Sequence, residues 1–187
     1  MNSNIQKTIN NEIKLSGVGL HSGQNVNINI KPAPEDFGIN FCRVDTAENE
    51  LIKAHYLNVI EPVLCTKIKN DNGVSVSTVE HLMAAFYGEG IDNALVEVDA
   101  PEVPILDGSA AEFVEAIRNA GIKLQSKERK FIKVLKKVEV KDGKKFISIE
   151  PLKQDLIIDF EIIFNNPLIR TRRKELKLSN ANLSEIY

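Results

Sequence analysis

Imidazole chemistry in this chain can draw only on three histidines, His21, His55 and His81, so any histidine-based metal or acid–base site is built from this set. His81 follows Glu80 in Ser77-Thr78-Val79-Glu80-His81-Leu82, where Val79, Leu82, Met83 and Phe86 take up helical spacing. Adjacent side chains on a helix diverge by roughly 100°. The carboxylate and the imidazole therefore serve neighbouring points and not one point. A helical zinc motif would put a second histidine one turn on, but Ala84 and Ala85 stand there, so this helix offers at most one zinc ligand. Catalytic zinc takes about three protein ligands plus an open position. The other ligands must come from elsewhere in the fold or from sequence beyond this chain.

Each of these residues also has an ordinary reading. Glu80 stands three residues after Ser77, the spacing of a capping box. His81 alone can equally be a satisfied surface histidine, and His55 has no carboxylate or second histidine near it in sequence, which makes it structural. Cys65, in Leu64-Cys65-Thr66, reads by itself as a small buried hydrophobe. Gly17-Val18-Gly19-Leu20-His21-Ser22-Gly23 is glycine-dense between two strand-like stretches and permits tight turns and close approach to a ligand. It lacks the lysine followed by serine or threonine that ends a phosphate loop. Pro101-Glu102-Val103-Pro104-Ile105-Leu106-Asp107-Gly108-Ser109 is a proline-braced loop that leads into a helix.

Several elements must position these groups. Val26, Ile28 and Ile30 alternate with polar residues over 25–31, and Ile39 with Phe41 resumes the pattern after Pro32-Ala33-Pro34, which suggests two strands paired with each other. Segments at 63–68 and 94–98 add β-type runs. A helix is expected from Ser77 to Gly88, and a second is capped by Ser109, has a stripe of Phe113, Ala116, Ile117 and Ala120, and stops at Gly121. Stretches 131–141 and 144–150 flank Asp142-Gly143, a hairpin dipeptide. A strand over 155–164 carries Leu156, Ile158, Phe160, Ile162 and Phe164 on one face, and Leu183 with Ile186 begins a short helical stripe. The polar stretch 125–130 marks a boundary between a first domain, 1–126, and a second, 127–187.

Composition bounds the class. The 187 residues are 43% hydrophobic and 27% charged, which excludes disorder and collagen-like repeats and leaves a chain able to build a core without disulfide or metal. Cys42 and Cys65 form no secreted-type framework, so a reducing cytoplasmic setting is expected. The polar start is not a secretory signal, and no apolar run approaches the roughly 20 residues of a spanning helix. A net charge of −2 argues against a protein built to neutralise nucleic-acid phosphates. The basic run from Lys127 to Lys145, with Arg170, Arg172, Arg173 and Lys174, reads as a solvated face, with a phosphate or RNA surface as its functional alternative. The second sheet lacks a helix to cover its apolar face, so a fragment, a truncated product or half of a longer reading frame is expected.

The glycine-dense loop, Leu64-Cys65-Thr66, Ser77-Thr78-Val79-Glu80-His81-Leu82, Gly90-Ile91-Asp92-Asn93 and Pro104-Ile105-Leu106-Asp107-Gly108-Ser109-Ala110 occur in this order. Together they resemble the UDP-3-O-acyl-N-acetylglucosamine deacetylase family of lipid A synthesis. The resemblance is strongest up to Ile122 and does not reach the family's full length. It implies an α+β fold of two similar domains, each a two-layer sandwich of a sheet and a pair of helices, with the active site between them. It also implies a zinc ion held in part by His81, with Glu80 as general base for the attacking water. His21, Leu64 and Cys65 match the substrate end of the pocket, and Cys65 is near enough to the metal to be an adventitious ligand. The family's other two zinc ligands, its general-acid histidine and its oxyanion threonine lie in later sequence. The implied reaction is zinc-assisted hydrolysis of the acetamide of a UDP-sugar carrying an acyl chain, with this chain alone inactive. The alternatives are a noncatalytic phosphate- or RNA-binding module and a split half that needs a complementing chain with the missing ligands; nucleic acid is not expected as a partner of the enzyme.

Overall fold

The computed structural model describes residues 4–46, 50–60, 63–153 and 156–178. The described residues fall into two compact units, divided between Arg129 and Lys130. The first unit runs β1 (Ile5–Ile9), β2 (Ile13–Val18), β3 (Asn25–Pro32), β4 (Ile39–Arg43), β5 (Leu51–Lys53), a 3-10 turn (Tyr56–Asn58), β6 (Val59–Ile60), β7 (Lys67–Lys69), β8 (Ser75–Val76), α1 (Glu80–Glu89), β9 (Ala94–Val98), α2 (Ala111–Ala120) and β10 (Ile122–Glu128). Its main sheet has the order β2-β3-β9-β4-β5, with only the β4–β9 pair parallel.

Period-two alternation puts Val26, Ile28 and Ile30 of β3 and Ala94, Val96 and Val98 of β9 on the buried face. That face joins one core with Leu82, Ala85 and Phe86 of α1 and Phe113, Val114 and Ile117 of α2, which pack against each other. The result is the expected α+β layering of a sheet with a helix pair. Val114 belongs to the buried stripe of α2, while Ala116 is only partly buried against the core.

The expected pairing of the Val26–Ile30 strand with the Ile39–Phe41 strand does not form. Strand β9 lies between them and bonds to both, in the register Ile30–Val96 on one side and Phe41–Val96 on the other. The 33–38 connection, with positive φ at Asp36 and Gly38, is too long for a tight hairpin and spans the slot that β9 fills. Asn93, just before β9, fixes that slot. Its side-chain amide donates to Gln6 Oε1 at 2.8 Å and Gln125 Oε1 at 2.7 Å, and its Oδ1 accepts from Gly38 N–H at 2.8 Å. Neighbouring Asp92 accepts from Lys7 N–H at 2.8 Å and Arg129 Nε at 2.9 Å. The Gly90-Ile91-Asp92-Asn93 motif is thus a structural staple.

In the 63–68 run only Lys67 and Ile68 are strand, the start of β7, because Leu64 takes φ +60° and turns the backbone. In the second unit, β11 (Val138–Asp142) pairs with β12 (Lys145–Ile149), and β13 (Leu156–Ile163) pairs with β14 (Thr171–Leu178). Asp142 pairs with Lys145, so the two turn residues are Gly143 and Lys144, one position later than the dipeptide suggested; Gly143, at φ +57°, supplies the left-handed conformation. Residues 131–137 are not strand. Among the described residues the second unit holds two separate two-stranded sheets, and Leu156, Ile158, Phe160 and Ile162 are exposed. The short helix expected around Leu183 and Ile186 lies outside the described residues.

Part of the basic run is paired with acids. Lys127 pairs with Asp36, Arg129 with Asp92, Lys137 with Glu150, Lys141 with Glu139 and Arg173 with Asp159. No helix among the described residues is long and apolar enough to cross a membrane.

Candidate functional site

Three loops of the first unit converge. The loop after β2 carries His21, the segment after β8 carries Thr78, Glu80 and His81, and the Pro101–Ser109 loop carries Glu102 and Asp107. Backbone bonds tie them together: Ser77 N–H to Pro101 O at 3.0 Å, Val103 N–H to Ser77 O at 3.0 Å, and Ile105 N–H to Val18 O at 3.0 Å.

This convergence removes the expected capping box. Ser77 is held in a parallel bridge opposite Glu102, and its hydroxyl donates to Pro101 O at 3.2 Å. Thr78 then takes φ +57°, a strained setting for a β-branched residue, and α1 starts only at Glu80, without a side-chain cap. Glu80 is freed from Ser77 and bonded elsewhere. Its Oε2 accepts from Thr66 N–H at 3.0 Å, so the carboxylate is anchored beside the Leu64-Cys65-Thr66 turn. Oε1 accepts no hydrogen bond among the described residues.

His81 is half-buried on the first turn of α1 and makes no hydrogen bond among the described residues. In the neighbouring loop, hydrogen bonds from the Ser109 backbone and hydroxyl hold the Asp107 carboxyl below the usual range, with a smaller contribution from His81. Ser109 Oγ also accepts from Ala111 N–H at 3.0 Å, but the N-cap of α2 is Ala110, without a side-chain cap, so Ser109 stands one residue before the position expected of it. Leu64 is 89% exposed and Cys65 is a half-buried free thiol, both next to the residue that anchors Glu80. His55 caps the 3-10 turn through Nδ1, which accepts from Leu57 N–H at 3.3 Å, and so it has the structural role its sequence context suggests.

The glycine-dense loop is a hairpin connection that wraps a carboxylate. Glu102, only 2% exposed, accepts from His21 N–H at 3.1 Å, Ser22 N–H at 2.9 Å and the Thr78 hydroxyl at 2.8 Å, and its Oε1 lies 3.0 Å from His21 Nδ1. Successive N–H groups in such a loop make an anion-binding concavity, and here the protein's own carboxylate fills it. Burial alone would raise the pKa of Glu102, but these hydrogen bonds hold it down to about 2. Gly19 is required in the same place, since a Cβ there would run into Ser22 Oγ and lie 2.5 Å from Glu102 Oε2. Glu102, Thr78 and Asp107 are the site-building residues that sequence reasoning missed. The only signal for Glu102 was the pair of prolines that brace it.

Among the described residues no group of three or more His, Cys, Asp or Glu side chains gathers to hold a metal ion. His81 fits as one nitrogen donor of such a set, and the described residues do not complete it.

Residues 6–186 match the family model described as LpxC: UDP-3-O-acyl N-acetylglycosamine deacetylase. Relatives named UDP-3-O-acyl-N-acetylglucosamine deacetylase include those of Shewanella halifaxensis, 46% identical over 184 residues (97% of this chain and 60% of the relative), and Geotalea uraniireducens, 44% identical over 182 residues (97% and 59%). That of Actinobacillus succinogenes is 48% identical over 164 residues, 88% of this chain and 53% of the relative. The chain thus spans about 60% of the length of the first of these relatives. A match over nearly all of its residues, at this identity, means that the chain belongs to the UDP-3-O-acyl-N-acetylglucosamine deacetylase family.

Proposed function

We propose that this chain carries one half of a zinc-dependent site that hydrolyses the N-acetyl group of a UDP-3-O-acyl-N-acetylglucosamine in lipid A synthesis, releasing acetate and leaving a 2-amino sugar. The observation that carries this reading is the state of Glu80: one oxygen is anchored by Thr66 N–H, the other accepts no hydrogen bond among the described residues, and an imidazole equally without a hydrogen bond among them stands next to it in sequence. A carboxylate so held can take a proton from an attacking water without having to search for its orientation. His81 would supply one nitrogen to the zinc, which when bound polarises the acetamide carbonyl as a Lewis acid. His21, Leu64 and Cys65 would line the substrate end, where exposed Leu64 offers apolar surface to an acyl chain.

In this reading the first domain, 1–126, brings Glu80 and His81, and 127–187 begins a second, similar domain. The remaining zinc donors would come from outside the described residues, a complementing chain being one source, in a reducing cytoplasmic setting. This chain by itself is inactive and binds zinc poorly. The test is acetate release from UDP-3-O-acyl-N-acetylglucosamine by this chain alone and by a chimera that continues it with the C-terminal remainder of the Shewanella halifaxensis relative. Zinc-dependent release by the chimera only is expected. Metal-dependent release by the 187-residue chain alone would overturn the half-site reading.

A further inference from the structure

We propose that Glu102 is a positioning residue that locks His21 in the tautomer with its proton on Nδ1, so that Nε2 is the ring atom offered to the substrate. The proposal rests on the reading of His21 as a substrate contact. Glu102 holds the His21–Ser22 segment at three points: the carboxylate takes His21 N–H and Ser22 N–H from the backbone and faces Nδ1 of the His21 ring at 3.0 Å. An ionised carboxylate only accepts hydrogen bonds. Nδ1 must therefore carry the proton in that contact, which leaves Nε2 with a lone pair on the neutral ring.

Nε2 has no hydrogen bond among the described residues, and the His21 side chain is 39% exposed. A neutral ring in this state accepts a hydrogen bond and so selects a donor on the substrate, such as a sugar hydroxyl or an amide N–H. Glu102 also reaches the other side of the site. Its Oε1 takes the Thr78 hydroxyl at 2.8 Å, and Thr78 stands two residues before Glu80, at the strained turn from which α1 starts. One buried carboxylate thereby sets both the ring that meets the substrate and the approach to the helix that carries Glu80 and His81.

The test is the tautomeric state of the histidines in the full chain, read from long-range proton–nitrogen correlation spectra at a pH of about 8, above the usual histidine pKa. His55 is a built-in contrast, because its Nδ1 accepts from Leu57 N–H and its proton must sit on Nε2. Wild-type protein is expected to show His21 protonated on Nδ1 and His55 on Nε2, with His21 assigned through His21→Gln. Glu102→Gln, whose single oxygen cannot serve all four donors, is expected to move His21 predominantly to the Nε2 proton and leave His55 unchanged. An Nε2 proton on His21 in the wild type, which needs no variant to fold, overturns the proposal, as does a folded Glu102→Gln variant with unaltered His21. Adding UDP-N-acetylglucosamine to the chimera that completes the site, with His21 assigned in the same way, addresses the substrate reading separately. A response at His21 there supports it; no response with the Nδ1 proton in place overturns the substrate assignment while the positioning by Glu102 stands.

Discussion

Nδ1 of His21 lies 3.0 Å from Oε1 of Glu102, although the two residues are 81 positions apart in sequence. The contact makes a buried acid part of the loop that displays the histidine, and so the stability of the first unit and the geometry of the candidate site share one group.

Acid should therefore unfold the first unit in a way that depends on Glu102. Its folded pKa of about 2 lies below the ordinary 4.5, so its stabilisation is fully present above pH 4.5 and is lost as pH falls towards 2. A shift of that size corresponds to roughly 3 kcal/mol. Stabilities of wild type and Glu102→Gln from urea melts should lie a constant amount apart above pH 4.5 and converge as pH falls towards 2. Parallel curves would mean that the carboxylate is not held as described.

Gly19→Ala should destabilise the same unit by about 1–3 kcal/mol, because its Cβ has no room beside Glu102. Gly23→Ala, whose Cβ would meet no atom, carries only the strain of φ +64° and should cost less, about 1 kcal/mol. Equal losses in chemical denaturation would contradict the close approach at Gly19.

Asn93→Ala should cost about 2–4 kcal/mol, since it strands Gly38 N–H and removes the donor to Gln6 and Gln125 in a buried setting. Acetate release by the folded chimera that carries the same change should be unchanged. A loss of release without a stability defect would move the Gly90–Asn93 motif into the site.

Zinc titration of the chain alone should give no equimolar, saturable uptake, because the described residues gather no three donors. Equimolar uptake abolished by His81→Ala would mean that the chain completes a site internally.

The parts of the fold legible in the sequence are those set by local periodicity. The alternation in β3 and β9 and the 3.6-residue stripes of α1 and α2 each report burial within one element. What the sequence hid depends on long-range geometry. Nothing near Ile39 announces that β9, more than fifty residues later, will slip in beside it. Ser77 and Glu80 have capping-box spacing, yet the bridge between Ser77 and Glu102 takes the serine away and leaves the glutamate to Thr66. Glu102 looked like one acid between prolines because its four donors come from Thr78 and from a loop some eighty residues upstream.

The most direct test of the site is the turnover number of the chimera with Glu80→Gln at matched zinc content. Loss of the base should lower kcat by about 10²–10⁴-fold, with zinc stoichiometry and substrate affinity retained. Undiminished kcat in the zinc-loaded Glu80→Gln chimera would contradict the assignment of Glu80 and, with it, the half-site built around the start of α1.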